Sequence, residues 1–339
     1  MVNTPEAQFA VDAVREAGQL VRRVQAEMVT DALVKGDKSP VTVGDFAAQA
    51  VVAKRLADAL PGAVLIGEEN AAELRAASGA ETLAQVTRFV QSVFPDATPE
   101  AVCDWIDQGA ENGGAENGDA GEPPGAFWTL DPIDGTKGFL RGDQYAVALA
   151  YLRGGAVEIG VLCCPELAGG VTPAKGDDGS VVLAVRGGGA QVQAMDGEPN
   201  DWTQLSVSAV SDASQTRMLR SVEKGHTNMD AIGQVAQAMG VTADPVGMDS
   251  QAKYAVLAAG GGEMLLRLLS PDRPDYREKI WDQAAGSIVI EEAGGRVTDL
   301  DGKPLDFSHG RTLANNRGVL ATNGHLHQAA LAGLRAIGA

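Results

Sequence analysis

Apolar residues recur along this chain with two different periods. Over 5–34, Phe9, Ala13, Ala17, Leu20, Val21 and Val24 fall at three- and four-residue steps, which predicts a long amphipathic helix. The polar stretch 35–40 breaks it, and Val41-Thr42-Val43 leaves that turn extended. Asp45 sits where an N-cap would start a second helix over 46–60, and Pro61-Gly62 stops that helix. A short buried strand over 63–66 leads into Gly67-Glu68-Glu69, and a third helix is predicted over 82–93. Residues 107–126, acidic and glycine-rich, read as an exposed loop. Beyond them the period becomes two. Strands are expected over 127–130, 145–152 and 157–162, the last two forming a hairpin turned by Gly154-Gly155. A second antiparallel pair, 181–185 and 190–195, flanks Gly187-Gly188-Gly189.

Composition shifts near 199–203. From there strands (218–222, 264–269, 296–299, 318–322) alternate with helices (229–239, 251–259, 282–293), the last helix closing at Gly294-Gly295. The pattern predicts an α+β part over 1–203 and an α/β part over 204–339. A length of 339 residues fits two domains.

Charge narrows the function. With 27 basic against 45 acidic residues the net charge is −18, a surface that repels a nucleic-acid backbone. A nucleic-acid polymer is therefore excluded as partner, whereas a small anion remains possible if metal ions invert the local field. No stretch approaches the ~18 uninterrupted apolar residues of a membrane span, which argues against a membrane protein. Three cysteines cannot build a disulfide scaffold, and the first residues lack signal or transit character; both lead to the expectation of a cytoplasmic monomer. A trimmed transit peptide would leave the same start.

The candidate chemistry is acidic. In Asp131-Pro132-Ile133-Asp134-Gly135-Thr136 two carboxylates leave a strand end around a proline, and the turn also offers the Ile133 carbonyl and the Thr136 hydroxyl. Hard cations such as Mg²⁺ take few protein oxygens because they keep waters and substrate oxygens. Glu68 and Glu69 follow a buried strand, where carboxylates need a partner. Asp282 and Asp45 are N-cap candidates by themselves, but one metal site accounts for all these acids. Ser250 reads as an N-cap with Lys253 over the first turn, either an anion anchor or an ordinary capped helix beside a surface lysine. His325 and His327 read as a surface pair at a polar turn, and Cys163-Cys164 as small, partly buried thiols.

The strings DKSPVTVGDFAAQA (37–50), GEE (67–69), DPIDGTKGFLRGDQYAVALA (131–150), VEKGHTN (222–228), DSQAKYAVLA (249–258) and EKIWDQAAG (278–286) occur in this order. Together they resemble the 3'(2'),5'-bisphosphate nucleotidases of the lithium-sensitive, metal-dependent phosphatase superfamily, which also holds inositol monophosphatases and fructose-1,6-bisphosphatases. The resemblance covers roughly residues 5 to 330, and its main departure is the long acidic insert at 107–126. It implies a layered α-β-α-β-α sandwich of α/β class. It implies two or three Mg²⁺ ions held by Glu68, Asp131, the Ile133 carbonyl, Asp134 and Asp282, with Glu69 supporting them from behind. Asp45 would take the Thr136 hydroxyl proton so that Thr136 orients the attacking water, and the Gly135 and Thr136 amides would cradle the scissile phosphate. Ser250 and Lys253 resemble the ligands of the other phosphate, Arg267 a phosphate or ribose contact, and His226 the residue that packs on the adenine. The implied reaction takes adenosine 3',5'-bisphosphate to AMP and phosphate, with 3'-phosphoadenylyl sulfate as a further substrate and Li⁺ as inhibitor. An inositol polyphosphate 1-phosphatase or general inositol phosphatase is the same-class alternative, against which VEKGH and DSQAKY argue. A catalytically silent nucleotide sensor would be marked by a lost metal ligand or a lost Asp45–Thr136 pair, and each of these residues is present.

Overall fold

The computed structural model describes residues 4–28, 33–34, 40–111, 125–168, 171–176, 178–198, 201–222, 228–270, 273 and 275–339. In chain order the first part holds α1 (Pro5–Glu27), β1 (Leu33–Val34), β2 (Pro40–Val41), α2 (Val43–Ala59), β3 (Leu65–Gly67), α3 (Ala72–Arg75), α4 (Ala80–Gln91) and α5 (Pro99–Glu111). It continues with β4 (Ala126–Asp134), α6 (Thr136–Arg141), β5 (Ala146–Arg153), β6 (Ala156–Cys164), β7 (Ser180–Val185), β8 (Gly189–Ala194) and β9 (Thr203–Gln204). The remainder holds β10 (Met218–Arg220), α7 (Met229–Ala238), β11 (Val246–Gly247), α8 (Ala252–Ala258), β12 (Met264–Arg267), α9 (Ala284–Glu292), β13 (Arg296–Thr298), β14 (Val319–Thr322) and α10 (His327–Ala336).

β3 to β9 form a seven-stranded sheet in sequence order, antiparallel except for the first pair. The second sheet runs β11-β10-β12-β14-β13. Strand alternation decides what covers each face. On one side of the first sheet Trp128, Leu130, Val147, Leu149, Val161 and Leu183 pack against α1 and α2. On the other, Ala148, Ala150, Leu162 and Val182 pack with Tyr254, Leu257, Ile288 and Val289 of α8 and α9. The same helices meet Leu219, Leu265 and Ala321 of the second sheet. Its outer face, through Met218, Met264 and Leu320, meets Val235 of α7 and Leu331 and Leu334 of α10. The result is five layers in the order helix, sheet, helix, sheet, helix, as the family resemblance implies.

Several local expectations are corrected. α1 stops at Glu27, Met28 is extended (φ −116°, ψ 122°), and Leu33–Val34 pairs with Pro40–Val41 as a hairpin rather than closing a helix. α2 starts earlier than expected: Thr42 is the N-cap, and Asp45 is its capping-box partner three residues on. Residues 107–111 are helical, not loop; Asp107 accepts the Ala71 N–H at 2.8 Å and pairs with Arg75 at 3.0 Å. Residues 112–124 lie outside the described residues. α5 is capped by Thr98, whose Oγ1 accepts the Ala101 N–H at 3.2 Å, whereas α10 has no side-chain cap; neither helix was anticipated. His327 is 1% exposed, lodged between Thr298 Oγ1 and Thr322 Oγ1 at 3.0 Å each, so the surface pair does not exist; only His325 is exposed.

Candidate active site

β4 does not end at Asp131. It runs on through Pro132 to Asp134, with a bulge between Asp131, opposite Ala148, and Asp134, opposite Ala146. Three residues apart, the two carboxylates would point to opposite faces of a regular strand. The extra residue in the bulge restores them to one side. Pro132 is tolerated because β3 pairs with β4 only as far as Leu130, leaving no ladder bond for it to give. Gly135 then turns in the left-handed region (φ +88°) into α6. A Cβ at Gly135 would lie 2.8 Å from Ser250 Cβ, so glycine lets the two segments meet.

They meet around a cavity of about 380 Å³. Glu68, Asp131, Ile133 and Asp134 line it from the ends of β3 and β4, and Gly135 and Thr136 from the start of α6. Ser250, Lys253, Arg267 and Asp282 line it from the later half of the chain. Asp45 and Glu69 are buried behind this wall. His226 falls outside the described residues.

The acids repel one another. Burial pushes the Asp131 carboxyl well above its ordinary range, and the charges of Glu68, Asp134, Asp282 and Asp45 push it further the same way. Burial also raises Asp282, opposed by Arg267, and raises Asp134, opposed by Lys253 and Arg267. Asp131 Oδ1 is buried without a hydrogen-bond partner. Such an orphaned carboxylate oxygen among like charges fits a cation site. Among the described residues no group of three or more His, Cys, Asp or Glu side chains converges as one metal cluster. Mg²⁺ is usually held by one or two carboxylates and completes its shell with water and phosphate oxygens.

Basic side chains line the same cavity close to the acids. Arg267 pairs with Glu278 at 2.7 Å and lies 3.6 Å from Asp282. Lys253 is 7% exposed, and burial lowers its pKa to about 8. Ser250 is not the cap of a regular helix start; its backbone is left-handed (φ 64°) and its hydroxyl accepts the Ala252 N–H at 3.2 Å. Asp282 likewise lies two residues ahead of α9 rather than at its cap. Thr136 Oγ1 donates to the Ile133 carbonyl at 3.1 Å, while Asp45 Oδ2 accepts from Thr42 N at 2.9 Å and Thr42 Oγ1 at 2.5 Å.

Residues that the sequence reading passed over hold this frame. Gln251 gives its backbone N–H to Asp134 Oδ2 (3.0 Å) and its side chain to the Trp281 carbonyl (3.0 Å). Gln49 binds both the N–H and the carbonyl of Glu69 (2.9 and 2.6 Å) and the Ile106 carbonyl (2.9 Å). Asp249 accepts from Ser221 Oγ and Val222 N, and pairs with Arg141. Arg273, Tyr276 and Lys279 join the cavity wall from a stretch, 271–280, in which basic and acidic residues alternate, so no local charge run marked it.

The five layers are those of solved phosphatase-fold structures. The Thermotoga maritima IMPase superposes with a TM-score of 0.66 at 20% identity, covering 98% of each chain. The model of the inositol monophosphatase family matches residues 3–338, and the chain belongs to that family. Within it, the chain is 41% identical to a 3'(2'),5'-bisphosphate nucleotidase of Schizosaccharomyces pombe over 93% of this chain and 91% of that protein. It is equally similar, 41%, to a 3'(2'),5'-bisphosphate nucleotidase of Oryza sativa, covering 95% of this chain and 91% of the rice protein.

Proposed function

We propose that this chain is a phosphatase that removes the 3'-phosphate of adenosine 3',5'-bisphosphate, yielding AMP and phosphate, and acts likewise on 3'-phosphoadenylyl sulfate. The observation that carries the reading is one cavity lined both by buried carboxylates and by Lys253 and Arg267. A substrate with two phosphates uses both sides, one through cations and one through basic side chains. The nucleotidase relatives at 41% identity support the same choice.

Glu68, Asp131, the Ile133 carbonyl, Asp134 and Asp282 would hold two or three Mg²⁺ ions. When bound, these neutralise phosphoryl charge and make water more acidic. The chain's own groups do the positioning that phosphoryl transfer mainly needs. Thr136, released from the Ile133 carbonyl, orients the attacking water, and Asp45 takes the proton that its hydroxyl gives up. The Gly135 and Thr136 amides face the scissile phosphate. Ser250 and Lys253 hold the other phosphate, and Arg267, fixed by Glu278, reaches phosphate or ribose. Glu69 supports Glu68 from behind, and His226 packs on the adenine. In this reading residues 1–203 supply most of the acids, and residues 204–339 supply Asp282 and the nucleotide contacts.

The test is phosphate release from adenosine 3',5'-bisphosphate, inositol phosphates and fructose bisphosphate with Mg²⁺, with and without Li⁺. The expected result is preference for the nucleotide and loss of turnover in Li⁺. Equal or faster hydrolysis of inositol phosphates would transfer the chain to the general inositol phosphatases, and no release with any of them would leave a nucleotide sensor.

A further inference from the structure

Glu68 and Asp282 reach the cavity from segments more than half the chain apart, and one buried side chain touches the residue that precedes each of them. Arg311 is 9% exposed. Its Nη2 donates to the carbonyl of Gly67, the residue before Glu68, at 2.7 Å. Its guanidinium lies 4.7 Å from the ring centroid of Trp281, the residue before Asp282. The Arg311 carbonyl in turn accepts the Ile280 N–H at 3.1 Å, and Lys279 bridges Thr312. The segment bearing Arg311 is thus strapped to the one that carries Asp282, and its side chain extends across to the one that carries Glu68.

Arginine suits this task through its shape. A planar guanidinium can lay its face on an indole while its edge donates to a carbonyl, which a lysine ammonium cannot do at once. Gly67 is also packed close to Gln49, since a Cβ there would stand 2.6 Å from Gln49 Oε1. The geometry points to Arg311 as a positioning residue that sets the spacing of Glu68 and Asp282 and so the affinity of the acidic cavity for divalent cations. This inference rests on the metal-dependent phosphatase reading above.

Its sign separates it from a simple charge effect. A positive charge next to a cation site weakens cation binding, so losing it should by itself tighten Mg²⁺. Loss of a positioning contact should weaken Mg²⁺ instead, by about tenfold or more, as for other groups that orient metal ligands. The experiment titrates Mg²⁺ calorimetrically into metal-stripped wild type, Arg311→Met and Arg311→Lys, with phosphate release measured in parallel. The expected result is a Kd raised about tenfold in Arg311→Met, and raised by less but still above wild type in Arg311→Lys. An unchanged or lowered Kd in the folded Met variant overturns the inference. Should that variant not fold, Arg311→Lys decides alone, and a wild-type Kd there overturns it. Wild type that releases no phosphate with Mg²⁺ sinks the functional reading instead, which keeps the two failures apart.

Discussion

Asp134 accepts the backbone N–H of Gln251 at 3.0 Å, which ties the bulged end of β4 to the segment opening α8. Gln251 then reaches the Trp281 carbonyl, so three distant pieces of chain share one small polar network under the cavity. Gln251 makes both contacts through uncharged groups. The charges it positions are left facing one another.

That separation predicts opposite effects on activity and stability for Asp134→Asn. The amide oxygen still accepts the Gln251 N–H, so the frame survives. The lost charge should lower kcat on the order of 10²–10³-fold, the range seen when one electrostatic contact to the reacting group is removed. Because burial raises the Asp134 pKa against the pull of Lys253 and Arg267, and the Asp134 charge in turn raises that of Asp131, the neutral side chain relieves strain in the metal-free protein. Its metal-free Tm should equal or exceed that of wild type, a gain in stability at the cost of function. Near-normal turnover would remove Asp134 from the site, and a large fall in Tm would contradict the neutral frame.

Lys253 gives a prediction in pH. Burial lowers its pKa to about 8, so in the free enzyme its charge is present below pH 8 and lost above it. If it holds the second phosphate, kcat/KM for adenosine 3',5'-bisphosphate falls as pH rises through about 8, a limb that reports the free enzyme. Lys253→Met should have a high KM and lack that limb. A limb that persists in the variant belongs to another group.

How much of this was legible beforehand differs by residue. The acids at 131, 134 and 68 were readable because carboxylates beside strand ends need partners; Asp282, an N-cap candidate by itself, entered through the motif match, and all four line one cavity. The five layers followed from the motif order rather than from periodicity. The bulge in β4 was not readable: a proline between two aspartates looks like a turn, and only the pairing of Asp131 with Ala148 and Asp134 with Ala146 shows a continued strand. Gln49, Gln251 and Arg311 were invisible for another reason. Their work is done on backbone groups of residues far along the chain, and such partners leave no local pattern. His327 was misread because the small polar residues around it suggested a turn, while tertiary packing closed over it.

The Gln49 contacts carry their own prediction. Gln49→Leu keeps volume but leaves the Glu69 N–H, the Glu69 carbonyl and the Ile106 carbonyl without their partner in a buried place. Leaving buried polar groups unpaired costs about 1–3 kcal/mol each, partly recovered by relaxation. Urea unfolding should show a loss of at least that size, and loosening of the Glu68-Glu69 turn should raise the Mg²⁺ concentration needed for half activity. A variant as stable as wild type would show that the network adds nothing.

His327 makes stability fall with acid in a window of its own. Thr298 Oγ1 gives its proton to the Asp299 carbonyl, so it accepts from His327 Nε2–H; Thr322 Oγ1 accepts from Gly324 N and donates to Nδ1. The ring is thereby held neutral, and burial takes its pKa down from 6.5 to about 4. Above pH 6.5 neither folded nor unfolded chain carries the proton, and His327 is neutral toward stability. Between pH 6.5 and 4 only the unfolded chain binds it, so stability drops as pH falls, by roughly 2 kcal/mol at pH 5. Asp131 and Asp282, whose pKa values are raised, act with the opposite sign in acid, so the effect must be read as a difference. His327→Gln offers both a donor and an acceptor to the two threonines without titrating. Urea unfolding at pH 7.5 and pH 5 should find wild type losing about 2 kcal/mol more than the variant over that interval. Parallel losses in the two proteins would mean that the ring is protonated in the fold and that the threonine pair does not fix its neutral form.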